Sequence, residues 1–205
     1  MTKVLQQQWF VAIVSGVPRS GTSLLMQMLG AGGMPLLTDD RRPPDPDNPR
    51  GYFEFEPVKR TAQDDAWVET AVGKAVKVIH LLLPRLPPTC PYRILFVHRD
   101  IAEVLASQQR MLDRNGRRGA DLSPQRLGEL LAAQVRRSLD WAALQPNVTW
   151  LNIQHRDVIE RPAVEARRIN EFLGGRLDEA KMAAAVDPSL YRHRRDLASP
   201  QETKP

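Results

Sequence analysis

The chain has 205 residues, of which 42% are hydrophobic and 26% are charged, and its formal net charge is +5. This length suits one well-buried core and is short for two, so we expect a single domain over residues 1–205 with a frayed end from about residue 197. The only cysteine, Cys90, excludes an internal disulfide bond, which fits the cytoplasm that we expect but also fits other compartments.

Hydropathy and charge disfavour two further classes of protein. The longest apolar runs, 9–14 and 79–83, are far too short to span a bilayer, and the first residues lack the pattern of a secretory signal. The basic residues are scattered in pairs such as Arg41-Arg42, without a basic tract interleaved with aromatic residues. This pattern disfavours nucleic acid as a partner, whereas the positive net charge favours an anionic ligand.

Strand and helix patterns alternate along the chain. The predicted strands are 9–15, 74–83, 92–98 and 148–153, with 35–37 as a candidate short strand. The predicted helices are 21–30, 57–72, one that Asp100 caps and Asn115 stops, 123–144, 162–173 and 178–186. This alternation predicts an α/β fold of three layers, with a mainly parallel sheet and helices on both faces.

The segment after the first predicted strand reads Gly16-Val17-Pro18-Arg19-Ser20-Gly21-Thr22-Ser23. A glycine-framed turn between a strand and a helix points backbone N–H groups at one spot near the positive end of the helix dipole, so it binds phosphate or sulfate. The frame is that of the nucleotide-binding P-loop, Gly-x-x-x-x-Gly-Lys-Ser/Thr, with Thr22 in the lysine position and Arg19 as a cation inside the loop. Without its lysine, the loop predicts a poor ATPase but a good cradle for an anion.

A second cation, Arg99, follows the predicted strand 92–98. The carboxyl ends of parallel strands meet at one edge of a sheet, so Arg19 and Arg99 should converge there. Ser107 follows Asp100 by two helical turns and returns to the same helix face, where it could meet a phosphate held by Arg99. The alternative is that Arg99 pairs only with Asp100 or a neighbouring helix and that Ser107 is a packing residue.

These two motifs resemble the sulfotransferase family, whose members use 3′-phosphoadenosine 5′-phosphosulfate as the sulfuryl donor. The family's 5′-phosphosulfate loop resembles Pro18, Arg19, Ser20, Gly21, Thr22 and Ser23, and its 3′-phosphate site resembles Arg99 with Ser107. The resemblance covers roughly residues 9–112. It implies a P-loop NTPase-like sulfotransferase fold, this donor as cosubstrate without a metal ion, and a hydroxyl or amine acceptor. The loop arginine is similar to that of tyrosylprotein sulfotransferases and several bacterial sulfotransferases.

The sequence departs from the family pattern in two places that concern the donor. Leu24 stands where many members place a tryptophan that stacks on adenine. The glycine-rich C-terminal segment that completes the family's 3′-phosphate site is not present, and Tyr191 and Arg194 in the segment 191–195 are candidates to replace it. The alternative is that this segment is a solvated basic tail.

The resemblance implies that Arg19 neutralises the leaving phosphate, but it leaves the catalytic base open. Tyrosine-sulfating members use a glutamate about twenty residues after the loop arginine, a count that reaches Asp39 and Asp40 here. Glu54 and Glu56 are rival carboxylates.

His80 is a third kind of candidate base. Small-molecule members carry Lys-Thr-His on the strand before the 3′-phosphate strand, and that strand here reads Lys77-Val78-Ile79-His80. The extra residue puts Lys77 and His80 on opposite faces of a strand, which weakens the parallel. The alternative is that His80 is a hydrogen-bonded core residue.

Two other functions stay open. The chain could be a non-catalytic anion- or nucleotide-binding module, or a nucleotide kinase or NTPase. Thr22 in the lysine position disfavours the kinase and the NTPase, although Ser23 remains available as a metal ligand. We expect the acceptor to be recognised by the segments 38–56 and 113–125.

Overall fold

The computed structural model of the chain describes residues 9–39, 41–46, 48–114 and 116–190. The strands are β1 (Val11–Gly16), β2 (Ala75–Lys77), β3 (Tyr92–His98) and β4 (Val148–Gln154). The helices are α1 (Thr22–Ala31), α2 (Trp67–Ala71), α3 (Ile101–Arg114), α4 (Pro124–Ala143), α5 (His155–Glu160), α6 (Pro162–Leu173) and α7 (Glu179–Ala184). Short 3₁₀ turns cover Glu56–Arg60, His80–Arg85 and Pro188–Leu190.

The four strands form one parallel sheet in the order β2-β1-β3-β4. Because successive side chains of a strand point to opposite faces, β1 contributes to two cores. Ala12 and Val14 pack with residues of α1, α6 and α7, whereas Val11 and Ile13 pack with residues of α2 and α4 on the other face. The three-layer α/β fold predicted from the sequence is therefore confirmed.

The order of the strands reverses at β1, which lies between β2 and β3. The chain leaves β1 towards β2 and then returns to the other side of β1 as β3. In an open parallel sheet, ligands bind beyond the carboxyl ends of the strands at the point of such a reversal. The topology therefore predicts a ligand site at the residues that follow Gly16 and His98.

Several predicted elements have the predicted bounds. Strand β3 and helix α6 coincide with the predicted segments 92–98 and 162–173. Asp100 precedes α3 and its carboxylate accepts a hydrogen bond from the backbone N–H of Glu103 at 3.1 Å, as the capping pattern predicted. Ser123 caps α4 in the same way by accepting from the backbone N–H of Arg126. The helix α5, directly after β4, was not predicted.

The predicted strand 74–83 was wrong in its second half. β2 ends at Lys77, and a 3₁₀ turn begins at His80. The ladder with β1 ends at the pair of Val14 and Lys77, although β1 itself continues to Gly16 in its pairing with β3. The His80 ring then fixes the turn, with Nδ1 3.2 Å from the Gly16 carbonyl oxygen and Nε2 3.2 Å from Gln134 Oε1.

The predicted helix 57–72 was also wrong, since the structure has a 3₁₀ turn and the short α2 instead. Thr61 Oγ1 donates to the Val58 carbonyl oxygen at 2.6 Å and accepts from Trp67 Nε1 at 3.1 Å. Such local side-chain bonds compete with helical backbone bonds and interrupt the helix. The candidate strand at 35–37 is reduced to a single bridge between Leu36 and Ala75.

Within the described ranges, no helix is both long and apolar enough to cross a membrane.

Candidate functional site

A cleft of about 330 Å³ opens at the carboxyl ends of the strands. Its walls come from the loop after β1 with the start of α1, from residues 41–46 and 48–56, and from the ends of β2 and β3 with α3. The start of α5 and Asp187 complete them. The lining residues that bear on its chemistry are Pro18, Arg19, Gly21, Thr22, Ser23, Arg42, Asn48, Tyr52, Glu54, Lys77, Arg99, Ser107 and His155.

The loop between β1 and α1 has the backbone expected of an anion cradle. Arg19 and Gly21 take left-handed φ angles of 77° and 107°, and α1 begins after Gly21 without a cap from a side chain. Among the described residues, the first N–H groups of α1 therefore lack a side-chain cap, which is the arrangement that binds anions at helix N-termini. Ser20 Oγ is buried, and none of the described residues forms a hydrogen bond with it.

The two motifs that the sequence placed together are joined directly. Arg19 Nε donates to Ser107 Oγ at 3.0 Å, and Arg99 Nη1 donates to the Arg19 carbonyl oxygen at 3.1 Å. Arg99 Nε also pairs with the Glu103 carboxylate at 3.0 Å, with both side chains less than a tenth exposed. Arg99 therefore does pair with a neighbouring helix, through Glu103 of α3, as the alternative expected. It nevertheless lines the cleft.

A further cation reaches the cleft from β2. Lys77 Nζ donates to Ser23 Oγ at 2.8 Å and to the Tyr52 carbonyl oxygen. Burial lowers the pKa of Lys77 to about 8, although the charge of Glu54 opposes this change. The side chain therefore remains mainly protonated at neutral pH. Sequence analysis gave Lys77 no site role. The available signals were a lysine within an otherwise apolar strand and its parallel with the Lys-Thr-His pattern.

The segment 41–46 with 48–56, here called the rim segment, forms the opposite wall of the cleft. The Arg42 guanidinium carbon lies 3.3 Å from the centre of the Tyr52 ring, and Arg42 Nη1 lies 3.0 Å from Glu54 Oε1. Tyr52 Oη donates to Asp45 Oδ2 at 2.7 Å. These contacts bring Glu54 to the cleft with a cation beside it.

Side chains fasten the rim segment to both of its neighbours. Asn48 Nδ2 donates to Ser23 Oγ at 2.9 Å, so Ser23 accepts from both the rim segment and Lys77. Arg50 bonds the Asp187 carboxylate at 2.9 Å and the Ala185 carbonyl oxygen at 2.7 Å. The predicted segment 38–56 thus borders the cleft, whereas the described part of 113–125 borders a separate groove between α3 and α4.

The candidate bases differ in their positions. Glu54 lines the cleft, and Asp40 lies outside the described residues. Burial alone would raise the pKa of Asp39, but backbone N–H groups of Glu56 and Arg41 donate to its carboxylate and lower the pKa. Asp39 thus holds the loop together, and the Glu56 carboxylate pairs with Lys59 at 2.7 Å.

His80 does not line the cleft. Its ring is almost fully buried, and each nitrogen lies at hydrogen-bond distance from a partner, the Gly16 carbonyl or Gln134. This environment matches the alternative of a core histidine.

His155, which sequence analysis missed, lines the cleft at the end of β4. Its side chain is buried, and burial lowers its pKa to about 4, with the Arg99 charge acting in the same direction and Glu103 against it. The signal available in the sequence was a histidine close behind the predicted strand 148–153, at the sheet edge where Arg19 and Arg99 were expected.

The predicted donor residues at the C-terminus, Tyr191 and Arg194, lie outside the described residues. Asp187, four residues before Tyr191 in the sequence, lines the cleft. Leu24, where many sulfotransferases have a tryptophan, also lines it. The described residues contain no group of three or more histidine, cysteine or acidic side chains that could hold a metal ion.

No family model and no curated protein matches the chain. Three solved structures resemble it. The sulfotransferase domain from the curacin biosynthetic pathway is 17% identical, with 90% of each chain covered and a TM-score of 0.52. The sulfotransferase domain from the Synechococcus PCC 7002 olefin synthase is 17% identical, with 95% of this chain and 86% of that chain covered and a TM-score of 0.50. A sulfotransferase from Alicyclobacillus acidocaldarius is 20% identical, with 87% of each chain covered and a TM-score of 0.49. The chain has the sulfotransferase fold.

Proposed function

We propose that this chain transfers a sulfuryl group from 3′-phosphoadenosine 5′-phosphosulfate to a hydroxyl or amine acceptor. One observation carries the proposal: Arg19 of the loop after β1 and Ser107 of α3 meet in one cleft, with Arg19 Nε 3.0 Å from Ser107 Oγ. Arg99 joins the same wall through the Arg19 carbonyl. Cations and a hydroxyl from separate elements suit a ligand that carries anionic groups on both sides of a nucleoside.

The transfer places specific demands on the cations of the cleft. A bond forms between the acceptor oxygen or nitrogen and sulfur, while the bond between sulfur and the bridging phosphate oxygen breaks. Negative charge develops on that oxygen, so cations fixed beside it stabilise the transition state more than the ground state. Arg19 is the proposed partner of the leaving phosphate, and the Lys77 ammonium beside Ser23 supplies a second positive charge.

The acceptor must lose a proton, and we assign this proton to the Glu54 carboxylate. Glu54 lines the cleft as part of the rim segment, and its charge acts on Lys77. Asp187 also lines the cleft, but its carboxylate accepts from Arg50 and Ser189. Asp40 belongs to the same stretch of chain as Glu54 and stays a rival.

The surroundings of Ser23 favour this function over a nucleotide kinase or NTPase. In a P-loop hydrolase, the corresponding hydroxyl binds Mg²⁺. Here Ser23 Oγ accepts hydrogen bonds from the Lys77 ammonium and from Asn48 Nδ2. A cation of the chain therefore stands next to the hydroxyl that would hold the metal ion.

We further propose that Tyr191 and Arg194 complete the 3′-phosphate site. The chain reaches the cleft at Asp187, four residues before Tyr191. The arginine would add a charge-assisted hydrogen bond to an anion held by Arg99 and Ser107.

The test compares adenosine 3′,5′-bisphosphate with adenosine 5′-monophosphate by titration calorimetry, because the two differ by the group assigned to Arg99 and Ser107. Charge-assisted hydrogen bonds of about 1.5–3 kcal/mol predict that the bisphosphate binds more tightly by about one to two powers of ten. Ser107→Ala should remove part of this difference and Arg99→Ala most of it. Arg110→Ala is the matched control, since Arg110 is an exposed residue of the same helix.

Removal of Arg99 alone would leave the buried Glu103 carboxylate without its cation, which destabilises a fold strongly. The double variant Arg99→Ala/Glu103→Gln removes both charges and keeps the test decisive. Wild-type protein that binds both nucleotides equally would contradict the proposal and favour a plain anion-binding module. Heat stabilisation by nucleotide that depends on added Mg²⁺ would instead favour a kinase or NTPase.

A further inference from the structure

The His155 ring packs on Gly21, the one glycine of the loop 17–21 between β1 and α1. His155 is the first residue of α5, directly after β4, and it is only 7% exposed. A Cβ atom placed on Gly21 would lie 2.3 Å from His155 Cδ2 and 3.1 Å from Nε2. The imidazole therefore occupies the space that any other residue at position 21 would need.

Gly21 is the residue from which α1 starts. Its φ of 107° requires glycine, and the backbone N–H of Leu24 donates to its carbonyl oxygen at 3.0 Å. A glycine at this point brings no side-chain contact of its own to hold the loop in place. The contact that fixes it comes from β4 and α5, which are remote in sequence.

The surroundings of His155 connect the two anion-binding parts of the cleft. Arg99 and Glu103 of α3 are the charged groups that act on the ring, and burial keeps its pKa near 4. The imidazole is therefore uncharged at neutral pH and adds no charge to the cleft. The ring therefore contacts the loop at Gly21 and lies within electrostatic reach of Arg99 and Glu103.

We infer that His155 is a positioning residue, whose ring holds Gly21 and the first turn of α1 at a fixed place relative to Arg99. Removal of the ring would leave a void beside the loop. The N–H groups of the loop would then no longer be held in position to donate to one anion. The inference requires only that the loop binds an anion, which is a narrower condition than the proposed sulfuryl transfer.

The experiment uses two probes on the full chain, inorganic pyrophosphate and adenosine 3′,5′-bisphosphate, with affinities from titration calorimetry. Pyrophosphate has no nucleoside, so it reports on the anion-binding groups of the cleft without any contact to a nucleoside. The variants are His155→Ala, which removes the ring, and His155→Phe, which keeps a flat ring without a titratable group. His98→Ala is the matched control, because His98 ends the neighbouring strand and bonds Asn152 at 2.9 Å without lining the cleft.

His155→Ala should weaken both probes by a similar factor of about ten, the lower end of what removal of an orienting partner costs at metal sites. His155→Phe should restore both affinities to within about threefold, and His98→Ala should change neither. The inference is overturned if His155→Ala weakens only the bisphosphate, since the ring would then contact the nucleoside. It is also overturned if His155→Phe, folded by circular dichroism, binds pyrophosphate as weakly as the alanine variant. Equal binding of mono- and bisphosphate by wild-type protein would contradict the proposed function and leave these pyrophosphate results valid.

Discussion

The two walls of the cleft are held in place by different parts of the molecule. The donor wall, made of the loop 17–21 with Arg99 and Ser107, follows directly from β1 and β3, whose residues pair along the centre of the sheet. The rim segment has only a few backbone bonds to the rest of the chain, and side chains fix it through the pairs Arg42–Glu54, Asn48–Ser23 and Arg50–Asp187. The fold therefore determines the first wall, whereas individual side chains determine the second.

Left-handed backbone occurs in both walls, since Arg19 of the loop also has a φ angle of 77°. In the rim segment, Gly51 and Phe53 take left-handed φ angles of 94° and 54° on either side of Tyr52. A phenylalanine in this region is strained, and the contact of its ring with the core compensates for the strain. The donor wall should thus bind one kind of anion whatever the acceptor, and the rim segment is the wall on which acceptor recognition can vary.

Loss of Arg19 should have the largest effect on the donor wall. Arg19→Ala removes the cation proposed to face the leaving phosphate, so turnover should fall by about 10²–10³-fold. The fold should persist because alanine, like arginine, carries a Cβ at the same backbone position. Steady-state kinetics with labelled donor measures the change, and Arg41→Ala, whose side chain is 73% exposed, is the control. Near-normal turnover of Arg19→Ala would contradict the role.

The next largest effect should come from the rim segment. Glu54→Gln removes the proposed proton acceptor, so turnover should fall by about 10²-fold while the affinity for adenosine 3′,5′-bisphosphate stays unchanged. Asp40→Asn tests the rival, and a larger loss in that variant would move the base to Asp40. His80→Ala should lower the free energy of unfolding rather than turnover, since its ring nitrogens lie beside the Gly16 carbonyl and Gln134.

Lys77 bridges the two walls, and its burial should be visible in stability. Its pKa is lowered from 10.5 to about 8 in the folded chain, so the unfolded chain binds more protons between these pH values. The free energy of unfolding should rise with pH through this window, and the full cost of burial, about 3 kcal/mol, is present below it. Lys77→Met removes this cost.

The measurement is urea unfolding of wild type and Lys77→Met at pH 7, 8, 9 and 10. Lys77→Met should be more stable at pH 7 by less than about 3 kcal/mol, because the Tyr52 carbonyl loses a donor. Its advantage should disappear as pH rises towards 10. Lys59→Met is the control, since the Lys59 side chain is 57% exposed. An advantage that does not change with pH would contradict the assignment.

The smallest effect should come from the fastening of the rim segment by Arg50. Its pair with Asp187 is exposed to solvent, and such surface pairs contribute little, so Arg50→Ala should barely change the free energy of unfolding. The KM for an acceptor should rise while the affinity for the donor nucleotide stays the same. A loss confined to donor affinity would show that the two walls are not separable in this way.

The sequence was most informative where chemistry lies close to a strand end. Arg19, Arg99 and Ser107 could be brought together because parallel strands end at one edge and helical spacing returns Ser107 to the start of α3. The same local rules predicted the bounds of β3 and α6.

Contacts between distant segments could not be predicted in this way. The place of Lys77 depends on where the ladder between β1 and β2 ends, and this pairing joins segments that are distant in the sequence. The place of His155 depends on β4 lying next to β3, which periodicity does not encode. The helix predicted over 57–72 failed because Thr61 and Trp67 bond each other across the turn.

The short strand β2 also affects the tendency of the protein to aggregate. It forms one edge of the sheet, and a free edge is a template on which another chain can add a strand. The outward N–H and C=O groups of Ala75 are already bonded to the Pro35 carbonyl and the Leu37 N–H of the same chain. Because β2 has only three residues, it offers few backbone groups with which a strand of another molecule could pair. The edge that carries Lys77 is thereby protected against aggregation through strand pairing.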